Sequence, residues 1–197
     1  LKLLTMKRTW LLIALFLLLG IGVYYTIQHK NKQAGGSRVS WDMDFAVRDT
    51  AAITRIFLAD RSGSTATLTR NGNHWLYNNT HRARPSAVQT LLETLHNVNV
   101  RYLPTKAAEP AMVKSLAAEG IKVEIYGKDN ALIKSYYVGG VTSDETGTYM
   151  IMEGAEQPYV VHIPAFIGQL RVRYMLGDDN WLDRTVFSEK AEDIRFV

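Results

Sequence analysis

The sequence contains no cysteine among its 197 residues. This absence excludes disulfide bonds, thiol nucleophiles, cysteine-ligated zinc and lipid anchors attached to cysteine. A chain without thiols is indifferent to the redox state around it, so the absence fits compartments on either side of a membrane. Any chemistry must come from other side chains.

Acidic residues are missing from the first 40 positions, which hold six of the 23 basic residues. Residues 41–197 contain the other 17 basic residues and all 19 acidic residues, which gives them a net charge of −2. A nucleic-acid-binding domain clusters Lys and Arg on its folded part. The overall charge of +4 therefore belongs to the N-terminal region, and we expect no nucleic-acid partner.

Patterns typical of catalytic or metal sites are scarce. The five histidines are scattered, and no two have metal-ligand spacing on one helix or strand. The Gly-x-Ser-x-Gly pattern of a serine nucleophile does not occur. Acidic pairs such as Asp144-Glu145 and Asp178-Asp179 fall in predicted loops, where solvated carboxylates are the simplest interpretation. We therefore predict no catalytic residues, no metal ion and no cofactor, in a protein that is not an enzyme.

One long uncharged run is present, over residues 10–27. At 1.5 Å per residue it covers about 27 Å, close to the ~30 Å of a bilayer's hydrocarbon core. Trp10 and Tyr24-Tyr25 lie near its two ends, where aromatic side chains meet the membrane interface. The run predicts a single N-terminal transmembrane helix after a short basic tail, residues 1–9.

Two alternatives to an uncleaved anchor remain open. A cleaved signal peptide would use the small residues Ala34-Gly35-Gly36, which lie far beyond the apolar run. A buried helix of a soluble core is the other alternative. Residues 28–43 are polar and contain Gly and Ser, so they predict a flexible tether. A very short N-terminal tail usually stays inside the cell, which would place the following domain outside.

Residues 44–190 have the pattern of an α+β domain. The runs 53–60 and 65–70 are β-prone, and Asn71-Gly72 is a strong hairpin signal before the run 74–77. These three runs predict an antiparallel meander.

Two helices and a second meander are predicted to follow. One helix begins at Pro85 and carries an apolar stripe at helical spacing, and the second runs from about Ala108 to Gly120. Ile121, Val123 and Ile125 alternate with polar residues, as in a half-buried strand. Further strands are predicted over 100–103, 132–138, 148–153 and 158–163, with a polar loop over 139–147 and a helical segment over 166–175. The result is antiparallel β-meanders packed with two or three helices.

Seven residues of this part are candidates for ligand or partner contacts. Glycines that follow a strand can open a loop around a ligand, and aromatic side chains are common in partner interfaces. The structural alternative is a wide hairpin connection with glycines at positive φ, and aromatic side chains in the core. The candidates are Tyr137, Gly139, Gly140, Tyr149, Trp181, Asp183 and Arg184.

Several short stretches are specific as a set, although each is weak alone. They are residues 53–58, Leu68-Thr69-Arg70, Trp75-Leu76, Arg82-Ala83-Arg84-Pro85, residues 91–95, residues 120–126, Tyr136-Tyr137-Val138-Gly139-Gly140, Gly147-Thr148-Tyr149-Met150, residues 158–164 and Trp181-Leu182-Asp183-Arg184. With this set, residues 43–190 resemble the family called domain of unknown function 4340 (DUF4340).

The resemblance implies a bacterial envelope protein with one N-terminal helix, and so a domain on the outer side of the inner membrane. Some members of the family are linked with gliding-type ABC transporters as an auxiliary extracytoplasmic subunit. The family has no assigned catalytic residues, so the resemblance assigns none here. Its members tend to be longer than this chain, and residues 191–197 echo residues 51–57. We therefore expect that residues 191–197 begin a second, similar unit.

Two functional hypotheses follow. The first is a non-enzymatic, membrane-anchored accessory component that binds envelope or transporter proteins. The second is an envelope sensor or enzyme for a glycan or peptide, which requires the loop 139–147 and Trp181, Asp183 and Arg184 to converge on one concave site.

Overall fold

The computed structural model describes residues 40–185, in which nine β-strands form most of the regular structure. The predicted tail (1–9), anchor (10–27), most of the tether (28–43) and the echo at 191–197 lie outside the described residues. The strands are β1 (Arg55–Ala59), β2 (Thr65–Asn71), β3 (His74–Tyr77), β4 (His81–Arg82), β5 (Asn99–Tyr102), β6 (Ile121–Tyr126), β7 (Leu132–Val141), β8 (Thr148–Met152) and β9 (Tyr159–His162). The helices are α1 (Pro85–Asn97), α2 (Glu109–Glu119) and α3 (Asp178–Trp181), with single turns of 3-10 helix at Thr50–Ala52, Lys128–Asn130 and Arg171–Tyr174.

All pairings between these strands are antiparallel, in the order β4-β3-β2-β1-β6-β7-β8-β9-β5. The two predicted meanders therefore lie side by side in one sheet. β1 and β6 join them, with Ile56 opposite Ile125 and Leu58 opposite Val123. Read outward from this central pair, the strand order is the same in both directions. We call β1–β4 the first half and β6–β9 the second half.

The two halves exchange their outermost segments. β5 follows the first half in sequence, yet it pairs with β9 of the second half. Leu182 follows the second half, yet it bridges to Ala83 beside β4. The Arg84 N–H donates to the Trp181 carbonyl over 2.7 Å and extends this link. The exchange ties both halves together through backbone hydrogen bonds.

The core lies on one face of the sheet, beneath α1. Pro85 at the first turn sets the start of α1, and Val88, Leu91 and Leu95 point into the core at helical spacing. Alternate residues of β1 and β6 are buried against them, as half-buried strands require. The predicted apolar stripe and strand alternation are therefore confirmed.

Three aromatic rings fill the second half's part of this core. Tyr136 lies edge-to-face with Phe45 and with Tyr174, at centroid distances of 5.8 and 6.4 Å. Burial raises the pKa of Tyr174 to about 12 and raises the pKa of Tyr136 well above its ordinary value. Both hydroxyls therefore stay neutral at physiological pH.

The opposite face of the sheet is covered by α2 where β7 and β8 pair. Leu116 of α2 packs over Gly139, beside Tyr149. On β6, Lys122 forms ion pairs with Glu124 at 2.8 Å and with Glu153 at 3.0 Å. Most of this second face is therefore polar and only half-buried, in contrast to the core face.

Two predictions about local structure are wrong. β7 continues through Gly139 and Gly140 to Val141, so these glycines do not open a loop, and neither has positive φ. A β-bulge between Val138 and Val141 absorbs one extra residue there. The segment 166–175 forms only one 3-10 turn, because Gly168 interrupts it with a φ of 132°.

The described part is nonetheless α+β, as predicted: an antiparallel sheet with three helices. Among residues 40–185, no helix combines the length and the apolar character that crossing a bilayer requires.

Candidate functional site

The seven predicted contact residues fall into two separate groups. Tyr137, Gly139, Gly140 and Tyr149 lie on β7 and β8, whereas Trp181, Asp183 and Arg184 lie at the end of α3, beside β4. Five strand spacings separate β4 from β7, about 24 Å at ~4.8 Å per strand. The structure therefore does not bring the two groups into one concave site.

Gly139 and Gly140 serve the packing of α2. A Cβ atom at Gly139 would lie 3.0 Å from Leu116 Cδ2, and one at Gly140 would lie 2.9 Å from Ser115 Oγ. The Gly140 N–H donates to that Ser115 hydroxyl over 3.1 Å. A helix therefore occupies the position that a ligand was expected to take.

The two tyrosines of this group are half-buried on the same face. Arg61 lies over the Tyr137 ring, 5.9 Å from its centroid. Burial raises the pKa of Tyr149, and the nearby Tyr102 adds to the effect. Both rings thus contribute to the polar face, and neither lines the groove described below.

The loop after β7 is closed by its own side chains. Thr146 Oγ1 donates to one carboxylate oxygen of Asp144 over 2.6 Å, and the Thr142 hydroxyl donates to the other. These hydrogen bonds, with that of Thr142 the largest contribution, lower the pKa of Asp144 to about 2. Asp144 therefore acts as a loop cap.

In the second group, only Trp181 is buried. Its Nε1 donates to the Met175 carbonyl over 2.6 Å. Asp183 lies 3.5 Å from Arg82, and hydrogen bonds from Thr185 lower its pKa. Arg184 is exposed and forms an ion pair with Asp179.

Trp181 lines an open groove of about 400 Å³ between α1 and the segment that follows β9. Val172 and Met175 form part of its lining, and Ile167 lies close by in sequence on that segment. All three are exposed, Ile167 at 93% and Val172 at 53%. We call this feature the α1–α3 groove.

Two arginines border the α1–α3 groove in fixed positions. Arg173 stacks over Phe166, 4.3 Å from the ring centroid, and donates to Thr94 Oγ1 over 3.0 Å. Arg84 donates to the Asn180 carbonyl over 2.8 Å. Among the described residues that line the groove, none is acidic. The groove therefore combines exposed apolar surface, one tryptophan and positive charge.

Sequence reasoning found Trp181 but missed the rest of this groove. Val172 and Met175 lay in a segment predicted as a helix, where apolar residues are expected to face a core. Their exposure depends on how the 3-10 turn lies against α1, which no local pattern contains. The two arginines gave no signal because isolated basic residues are common on surfaces.

The lining of the groove holds apolar and basic side chains. Within residues 40–185, no group of three or more His, Asp or Glu side chains is placed to hold a metal ion. Exposed apolar side chains beside Arg are typical of protein-binding surfaces, whereas Trp181, at 2% exposure, already belongs to the core.

Comparison with known proteins places the chain in a family. No curated protein and no solved structure matches the sequence. The family model described as "Domain of unknown function (DUF4340)" matches residues 75–197, from β3 onward. That range exceeds half of the chain and confirms the resemblance found in the sequence. The chain therefore belongs to the DUF4340 family.

Proposed function

We propose that this chain is a membrane-anchored extracytoplasmic domain that acts as a non-enzymatic binding component of an envelope complex. The α1–α3 groove supports this proposal most directly, because it exposes Val172 and Met175 beside two arginines. The uncharged run 10–27 supports an anchor in the bacterial inner membrane.

The partner of the groove is a protein segment that carries apolar side chains and at least one carboxylate. Val172 and Met175 offer the apolar surface, while Arg84 and Arg173 offer the positive charge. Charge complementarity of this kind sets the register of a bound segment and favours one partner over others. We propose a component of a gliding-type ABC transporter, or of a related envelope complex, as this partner, because the resemblance seen in the sequence implies such a role.

Affinity purification of the full chain from detergent-solubilised membranes of the host tests this proposal. The informative variant is Val172→Asp, which places a charge on the groove. The matched control is Val113→Asp on α2, because Val113 is 50% exposed and Val172 is 53% exposed. We expect an envelope protein to co-purify with the wild type and with the control, and to fall about tenfold with Val172→Asp.

Two outcomes would count against the proposal. One is recovery of no envelope protein with the wild-type chain. The other is recovery of the same proteins, in the same amounts, with both aspartate variants. Thermal unfolding of each variant shows whether a loss reflects the groove or the fold.

A further inference from the structure

Among residues 40–185, Met175 is the one methionine that is exposed. Met112, Met150 and Met152 are buried, at exposures of 1%, 0% and 7%, and the half-buried Met43 packs against the core. Met175 is 42% exposed and belongs to the lining of the α1–α3 groove. Because the sequence has no cysteine, all of its sulfur is in methionine side chains.

The backbone around Met175 is held in place on both sides. Trp181 Nε1 donates to the Met175 carbonyl over 2.6 Å, and the Tyr77 hydroxyl lies 3.4 Å from the Leu176 carbonyl. Tyr174 is fully buried, and the half-buried Leu176 packs against the core. Since both neighbours in sequence pack inward, these contacts keep the Met175 side chain at the groove.

We propose that Met175 is an oxidation site that controls the α1–α3 groove, with a hydroperoxide as the oxidant. The thioether sulfur forms a bond to the terminal oxygen of the hydroperoxide while the O–O bond breaks. The proton of that oxygen moves to the leaving oxygen, so the products are methionine sulfoxide and an alcohol, or water when the oxidant is hydrogen peroxide. Sulfur is oxidised by two electrons, and the hydroperoxide is reduced by two.

Oxidation makes one side of the groove polar. Val172 and Met175 supply the exposed apolar surface there, and the sulfoxide replaces half of that pair with a strongly polar group. Burying its oxygen against apolar partner side chains costs desolvation, so the partner binds more weakly. This effect on binding rests on the proposed function, whereas the oxidation itself does not. Methionine sulfoxide reductases reverse the change.

Peptide mass mapping of the full chain in peroxide-free detergent, after brief treatment with hydrogen peroxide, tests the oxidation site. We expect Met175 to gain one oxygen about tenfold faster than Met112, Met150 and Met152, because burial shields their sulfur atoms. In urea, where the chain is unfolded, all four should react at similar rates. Similar rates in the folded chain would overturn the proposal.

Co-purification tests the control of the groove. The purified chain is oxidised, freed of peroxide and mixed with untreated, solubilised membranes, so that only the chain carries sulfoxide. The matched control is Met175→Leu, which keeps an apolar side chain of similar volume without sulfur. We expect recovery of the envelope protein to fall about tenfold for the oxidised wild type and to stay unchanged for the oxidised control. Reductase treatment should restore the wild type.

The outcomes separate this inference from the proposed function. An equal fall in recovery for the oxidised wild type and the oxidised Met175→Leu variant would overturn the control by Met175, as would no fall in either. Recovery of no envelope protein with the untreated chain would contradict the proposed function and, with it, the effect on binding. The mass mapping would still decide whether Met175 is the oxidation site.

Discussion

The two halves of the sheet share one strand order but differ in what covers them. The first half is followed by α1, a helix of 13 residues that covers the core. The second half is followed by one 3-10 turn and the four-residue helix α3. A short element cannot cover the surface that a long helix covers. The comparison therefore explains why the α1–α3 groove exists and why Val172 and Met175 stay exposed.

The opposite face shows the reverse difference. There α2 packs on the second half, at Gly139 and Gly140, and makes that half dense on both sides. Within the described residues, no helix packs on the same face of the first half. The second half is thus covered on both faces, whereas the polar face of the first half has no helix over it within the described residues.

The largest expected effect on stability comes from a substitution in α1, the long helix that follows the first half and has no counterpart after the second half. Leu91→Ala in α1 removes a fully buried side chain from the core and should cost about 2–5 kcal/mol of unfolding free energy. Val172→Ala, on the 3-10 turn that follows the second half, should cost less than ~0.5 kcal/mol of unfolding free energy. Urea unfolding of the full chain in detergent measures both. Similar losses of unfolding free energy in the two variants would contradict the proposal that α1 covers the core more fully than the 3-10 turn does.

The second prediction compares the β2–β3 turn with the β7–β8 connection. A Cβ at Gly147 would lie 2.4 Å from Val160 Cγ1, whereas a Cβ at Gly72 would meet no atom within 4 Å. Gly147→Ala should therefore cost about 1–3 kcal/mol through overpacking. Gly72→Ala should cost about 1 kcal/mol through its positive φ.

A double-mutant cycle separates these two causes. Val160→Ala should relieve part of the cost of Gly147→Ala, with a coupling of about 0.5–2 kcal/mol, and should be additive with Gly72→Ala. Additivity in both cycles would show that contact with Val160 does not cause the loss of stability in Gly147→Ala.

A smaller effect is expected where α3 attaches to the first half. The Tyr77 hydroxyl donates to Asp178 over 2.7 Å, and burial together with this carboxylate raises the pKa of Tyr77 to about 12. Tyr77→Phe should cost about 1 kcal/mol, since Asp178 is exposed and water replaces the hydroxyl. Hydrogen exchange should rise most in α3. A uniform rise over the whole sheet would contradict this local role.

The smallest effect concerns the loop of the second half. The pKa of Asp144 is lowered to about 2, so the carboxylate stabilises the fold above its unfolded pKa near 3.8. This stability should be lost as the pH falls from about 4 to about 2. Asp144→Asn should flatten the dependence of stability on pH in that window. An unchanged acid profile would disprove the role of the cap. Asp60→Asn, in the first half's turn, is the matched comparison, because hydrogen bonds from Ser62 also lower the pKa of Asp60.

Local patterns were enough to predict most elements of both halves. Asn71-Gly72, the alternation at 121–125 and the helical stripe behind Pro85 are short-range signals with a direct physical cause. The β1–β6 pair and the exchange of β5 and Leu182 join residues about 60 or more positions apart. No local pattern encodes such pairings.

The site was harder to predict for the same reason. The glycines at 139–140 looked like a loop because their cover, α2, comes from a distant segment. The α1–α3 groove depends on an element being too short to cover a surface. Whether an element is long enough to cover a surface depends on the assembled fold, and no single stretch of sequence contains that information.

Site-specific photo-cross-linking tests the central claim, that the α1–α3 groove is the surface that binds a partner. A photoreactive side chain replaces Val172 in the full chain in native membranes, and the control places it at Leu132, which is 52% exposed. We predict one major adduct with an envelope protein from position 172 and none from position 132. No adduct from position 172, or the same adducts from both positions, would contradict the account.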